Sequence, residues 1–120
     1  MRVARTVKEC EDLLANYVSN ASQNHGKSMT TERATQLARF SGSPHENLKV
    51  VHVAGTSGKT STSYYSAAIL KASGAKVGLS VSPHIQSVAE RALINGEVLP
   101  EETYVSYFNR FHEIVIESKL

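Results

Sequence analysis

Val7, Cys10, Leu13, Leu14, Tyr17 and Val18 recur at helical spacing and predict a first helix with one apolar stripe, ending near Asn20. Ahead of it, Thr6 and Glu9 make a capping-box pattern, with Thr6 as N-cap and Glu9 reaching back to it. Residues 22–28 are polar, include Gly26 and predict a loop. A second helix is predicted from Thr30 or Thr31 to Phe40, burying Ala34, Leu37 and Phe40. Gly42, Ser43 and Pro44 stop it, because proline lacks a donor and disfavours helix in the residue before it.

Residues 48–54 are β-branched and bounded by turn formers, the pattern of a buried strand. Residues 60–73 predict a helix packed through Ala67, Ala68, Ile69 and Leu70 and stopped by Gly74, and residues 76–81 predict the next strand. Strand, helix and strand within about 30 residues make a βαβ unit, whose strands are expected to be parallel. Beyond it, residues 92–94 and 97–99 flank Asn95 and Gly96, a hairpin signal, since Asn-Gly tolerates positive φ at both turn positions. Pro100, Glu101 and Glu102 open a last helix, with Tyr104, Tyr107, Phe108, Phe111, Ile114 and Val115 as its buried stripe. The fold expected is α/β: a P-loop NTPase-like βαβ over 48–81, preceded by two helices in 1–47. Residues 82–120 then supply a loop, a hairpin and a C-terminal helix.

A glycine loop joins the first predicted strand to its helix. Gly55 and Gly58 permit left-handed backbone and keep side chains clear, so that several N–H groups can converge on a phosphate. Lys59 adds a cation able to reach β- and γ-phosphates, and Thr60 places a hydroxyl where a bridging Mg2+ would sit. The helix that starts there turns its unsatisfied N–H groups to the same anion. The strict P-loop pattern asks for glycine at position 53, which is Val53, so Gly55 is displaced by two positions. The strand before the loop and the helix after it nevertheless predict that residues 55–61 hold a nucleotide, ATP being the one expected.

Composition adds limits. The 120 residues suit one small domain or part of a larger one, and a net charge of +2 carries no nucleic-acid or membrane footprint. No apolar run approaches the ~18 residues of a membrane helix. The single cysteine, Cys10, excludes an internal disulfide, falls on the first helix's stripe and is read as packing. No leader pattern precedes the acidic residues Glu9, Glu11 and Asp12, so a cytoplasmic location is the default expectation. His25, His45, His52 and His112 show no metal-ligand spacing, and His52 is expected in the buried strand in a hydrogen-bonded role.

Residues 51–61 resemble the H-V-A-G-T-N-G-K-G-S loop of folylpolyglutamate and dihydrofolate synthases, relatives of the Mur ligases. Ser82, Pro83, His84 and Ile85 resemble that family's S-P-H-L segment, and residues 90–97 its E-R-I-x-[IV]-N-G-E segment. Together with a Gly-x-Pro turn at Gly42 and Pro44, the resemblance covers about residues 28–118. It implies an ATP-dependent ligase that activates a folate or dihydropteroate carboxylate as an acyl phosphate and joins it to L-glutamate. Gly55, Thr56, Ser57, Gly58, Lys59, Thr60 and Ser61 would hold the triphosphate, with Lys59 acting on the transferring phosphoryl group. Ser82, with Thr60, would serve Mg2+, and His84, Glu90 and Arg91 would lie at the substrate.

The sequence departs from the family at Ser57, usually Asn, and at Thr60, often Gly. Gly58, Lys59 and Thr60 read more like the Mur ligases proper, which keeps a peptide ligase of cell-wall precursors as an alternative, beside a non-catalytic nucleotide-binding module. No apolar strand ending in an acid follows the loop to supply a further metal carboxylate, and the last helix runs to Leu120 without a stop signal. The chain is therefore expected to be the N-terminal portion of a Mur-ligase-type ATPase domain, inactive alone, whose open sheet edge and uncovered helix faces favour self-association.

Overall fold

The computed structural model describes the backbone of residues 3–22 and 31–119, with side chains from 3–17 and from 31–119. The predicted loop over residues 23–28, His25, a helix start at Thr30, and Leu120 lie outside the described residues, as does the side chain of Val18. The chain divides into two units, Val51–Tyr104 and the residues on either side of it.

In the flanking unit, α1 (Val7–Ser22) begins where the sequence places it. The Thr6 hydroxyl accepts the Glu9 N–H at 3.2 Å, but the Glu9 carboxylate reaches one residue further back, to the Arg5 N–H at 2.7 Å. Cys10 is fully buried, as its place on the stripe predicts. Helix α2 (Glu32–Phe40) ends in a Schellman motif, with Ser43 N–H on Ala38 O at 2.8 Å and Gly42 N–H on Arg39 O at 3.0 Å. None of its residues is buried: Ala34 is exposed and Phe40 is 62% exposed, against the predicted apolar face.

Helix α4 (Glu101–Ser118) buries a seam set one residue away from the predicted aromatic stripe. Val105 and His112 are buried, whereas Tyr107 and Phe111 are exposed. Two polar contacts choose that seam. The Asn109 side chain accepts the Ala4 N–H at 2.9 Å and donates to the Ala4 carbonyl at 2.8 Å. One turn on, His112 Nε2 lies 3.0 Å from the Tyr17 hydroxyl and its ring stacks on Phe108. These bonds satisfy groups that burial would otherwise leave unpaired.

The unit Val51–Tyr104 contains α3 (Lys59–Ala72) and a three-stranded antiparallel sheet of β1 (Gly78–Leu79), β2 (Leu93–Ile94) and β3 (Glu97–Val98). A second Schellman motif ends α3, Ala75 N–H on Leu70 O and Gly74 N–H on Lys71 O. The hairpin forms at Asn95 and Gly96, both at positive φ, with Leu93 opposite Val98 and Ile94 opposite Glu97. Asn95 then binds Val77 twice, its N–H to the Val77 carbonyl at 2.8 Å and its Oδ1 from the Val77 N–H at 2.9 Å. Those bonds set β1 beside β2, Gly78 opposite Ile94 and Leu79 opposite Leu93.

Two expectations change here. Of the predicted strand over 76–81 only Gly78–Leu79 is paired, and its neighbour is the hairpin, antiparallel. Residues 48–54 join no ladder among the described residues, and Val50 and Val51 are 72% and 66% exposed. A strand exists only beside a partner, and the hairpin reaches β1 through a short loop closure, which costs less entropy than a distant pairing. His52 is accordingly exposed, not buried. Ile69 and Leu70 of α3, expected to pack, are exposed as well. No described helix is long and apolar enough to cross a membrane.

Candidate phosphate-binding site

The glycine loop occupies residues 55–58 and delivers the chain into α3 at Lys59. Gly58 stands at the N-cap with φ 73°, and Gly55 has φ 153°. A Cβ at Gly58 would meet nothing within 4 Å, so the glycine is required there by the left-handed backbone and not by space. No side chain caps α3, which leaves its first N–H groups directed out of the helix end with no intrahelical acceptor. Positive potential at that end favours an anion.

Lys59 folds back over the loop. Its Nζ donates to the Gly55 carbonyl at 2.7 Å and lies 3.4 Å from the Thr56 carbonyl, so the ammonium stands above the glycines while staying exposed. Beside it opens a cavity of about 150 Å3 lined by Val53, Lys59, Thr60, Ser63, Ser80, Val81 and Ser82. Lys59, Thr60 and Ser82, predicted from two separate motifs, thus share one pocket. Gly55, Thr56, Ser57, Gly58 and Ser61 form the loop and first turn next to it and do not line it.

Ser63 and Ser80 are pocket residues that the motifs did not indicate. Periodicity carried the signal: Ser63 follows Lys59 by four residues and Thr60 by three, on one helix face, and its hydroxyl donates to the Lys59 carbonyl at 2.9 Å. Ser80 precedes Ser82 by two residues, the spacing that returns an extended chain to the same side. Hydroxyl oxygens suit a hard cation such as Mg2+. Among the described residues no three His, Cys, Asp or Glu side chains gather as a metal site, so the donors on offer at this pocket are hydroxyls.

After Ser82, whose peptide to Pro83 is cis, the chain makes a loop into a short 3-10 turn, Val88–Arg91. Arg91 Nε donates to His84 Nδ1 at 2.9 Å. The Glu90 carboxylate accepts three consecutive backbone N–H groups, Ile85 on Oε2 at 2.9 Å, and Gln86 and Ser87 on Oε1 at 2.9 and 3.0 Å. Those bonds, Ile85's first, hold its carboxyl below the ordinary value of 4.5. His84, Glu90 and Arg91 are therefore brought together, on the loop that leaves the pocket at Ser82 and not in the pocket lining.

No family model matches the chain. It is 43% identical over 72 residues to the folylpolyglutamate synthase of Saccharomyces cerevisiae, a stretch covering 58% of the chain and 13% of the yeast protein. The Mycobacterium tuberculosis folylpolyglutamate synthase complexed with ADP has a similar fold, with TM-score 0.73 and 28% identity over 91% of this chain and 24% of its own. Escherichia coli FolC in complex with DHPP and ADP matches with TM-score 0.66 and 33% identity, over 84% of this chain and 25% of its own. In sequence and in fold the chain is similar to one part of folylpolyglutamate synthases, and it spans a quarter or less of their length.

Proposed function

We propose that the chain is the phosphate-gripping part of an ATP-dependent ligase that joins a folate or dihydropteroate carboxylate to L-glutamate. The observation that carries this reading is the meeting of Lys59, Thr60 and Ser82 in one pocket beside an uncapped helix start. The ADP held by two of the similar enzymes supports the nucleotide. The loop residues 55–61 bind the triphosphate through backbone N–H groups, and the Lys59 ammonium exchanges its carbonyl partners for phosphate oxygens. Thr60 and Ser82 would hold Mg2+, which when bound neutralises charge on the β- and γ-phosphates.

A carboxylate is a poor electrophile. Transfer of the γ-phosphoryl group to it gives an acyl phosphate, which the glutamate amino group attacks with release of phosphate. Lys59 stabilises the charge that develops during that transfer, while His84 and Arg91 face the acid substrate. Residues 48–54 complete a Mur-ligase-type parallel sheet when the remainder of a longer protein lies beside them. Alone, the chain does not ligate and self-associates through its exposed helix faces. The enzyme of this reading works in the cytoplasm.

The test is to assay the protein carrying this chain with ATP, Mg2+ and L-glutamate, offering dihydropteroate and folate in turn. Glutamate-dependent ADP release with either acid is expected. Turnover with a UDP-linked muramyl acid and neither pterin would move the assignment to a peptide ligase, which the Gly58, Lys59, Thr60 sequence favours. ATP binding with no turnover on any acid would leave a non-catalytic module.

A further inference from the structure

We propose that Glu90 is a positioning residue, which fixes the loop carrying Ser82 and His84 by acting on backbone N–H groups instead of on substrate; this rests on the ligase reading above. Both carboxylate oxygens are committed, to Ile85 on one side and to Gln86 and Ser87 on the other, all within 3.0 Å. Three N–H groups in a row have no helical or sheet acceptors at this point in the chain. A carboxylate supplies acceptors to all of them at once, and an ionised acceptor makes each bond stronger.

Packing gives little hold on the middle of the loop, because the Ile85 side chain is 91% exposed and Gln86 is exposed beside it. The fixed end is elsewhere. Val88 and Ala89, which precede Glu90 in its 3-10 turn, are buried, and Ser87 caps that turn by accepting the Ala89 N–H at 3.3 Å. Position passes from those buried residues to Glu90, from Glu90 to the amides of residues 85–87, and from them to His84 and Ser82. The Arg91 to His84 bond is a second tie on the same loop. Aspartate is one methylene short of this reach, and glutamine replaces one acceptor oxygen with a donor.

The test compares Glu90→Gln and Glu90→Ala with the parent chain. Amide hydrogen exchange at Ile85, Gln86 and Ser87 should rise about tenfold or more, further in the alanine variant, with α3 and α4 amides unchanged. In the protein carrying the chain, KM for the pterin acid and the Mg2+ needed for half-maximal rate should rise roughly ten- to a hundredfold, with ATP affinity retained. Should the alanine variant not fold, the glutamine variant decides. Unchanged exchange at the three amides overturns the proposal, and so does faster exchange with unchanged KM and Mg2+ requirement. If the parent ligates no pterin acid, the ligase reading fails by itself. The exchange result still decides whether Glu90 holds the loop.

Discussion

Lys59 is held to the loop it serves. With Nζ 2.7 Å from the Gly55 carbonyl, its charge sits over the glycines, so the phosphate binding proposed above would need little reorganisation. Lys59→Ala should weaken ATP binding by about tenfold or more, the equivalent of a charged hydrogen bond at roughly 1.5–3 kcal/mol. Calorimetric titration reads it, and equal affinity in parent and variant would count against the site. The exposed side chain leaves the helix content unchanged. Gly58→Ala forces a Cβ into left-handed backbone and should cost roughly 1–2 kcal/mol in urea denaturation, with α3 fraying at its start. At Glu90 the sign follows from the depressed carboxyl. Its ties to residues 85–87 are intact above the ordinary 4.5 and are lost as the pH falls through the lower folded value, with His84 and Arg91 as the neighbouring basic groups. Exchange at those three amides, corrected for intrinsic rate, should therefore stay slow from neutral pH down to the ordinary 4.5 and accelerate only below it. The places of Lys59 and Thr60 at the pocket were legible because spacing to the glycines fixes them. Glu90's was not, since its partners are main-chain amides that carry no residue signature.

Elements set by local chemistry were legible, and those set by distant partners were not. The Asn95 and Gly96 turn and the Gly42 and Gly74 stops form as their sequences require, because positive φ is a property of one residue. The strand over residues 48–54 needs a neighbour, and β1 found its neighbour in the hairpin. On α4 the predicted stripe is half-buried at Tyr104, Phe108, Ile114 and Val115 but exposed at Tyr107 and Phe111, because Asn109 and His112, polar residues, set the buried face through Ala4 and Tyr17. Asn95 joins both kinds of information, setting the turn by its backbone and β1 by its side chain. Asn95→Ala should lose the Val77 N–H acceptor and strain the turn, costing about 1–3 kcal/mol. Asn95→Gly keeps the turn and should cost less. Both variants lose the side-chain bond, so equal urea midpoints for the two would show that strain at the turn contributes nothing, and a glycine variant as stable as the parent would show that the bond to Val77 contributes nothing.

For the chain as a whole, the question is what the exposed apolar side chains meet. On α3, Tyr65 and Ile69 are 73% and 70% exposed and stand four residues apart, on one helix face. Covering such side chains is worth about 1.5–3 kcal/mol each, and two copies meeting along this ridge would cover four of them. The chain spans a quarter or less of the enzymes it is similar to, and in a longer protein other residues can occupy the same ridge. Without them, sedimentation should show association of the isolated chain at roughly micromolar to millimolar concentration. The Tyr65→Ser, Ile69→Lys double variant should return it to monomer with its far-ultraviolet circular dichroism unchanged. A parent chain that stays monomeric across that range, or a variant that associates as the parent does, would mean that this ridge does not draw two copies together.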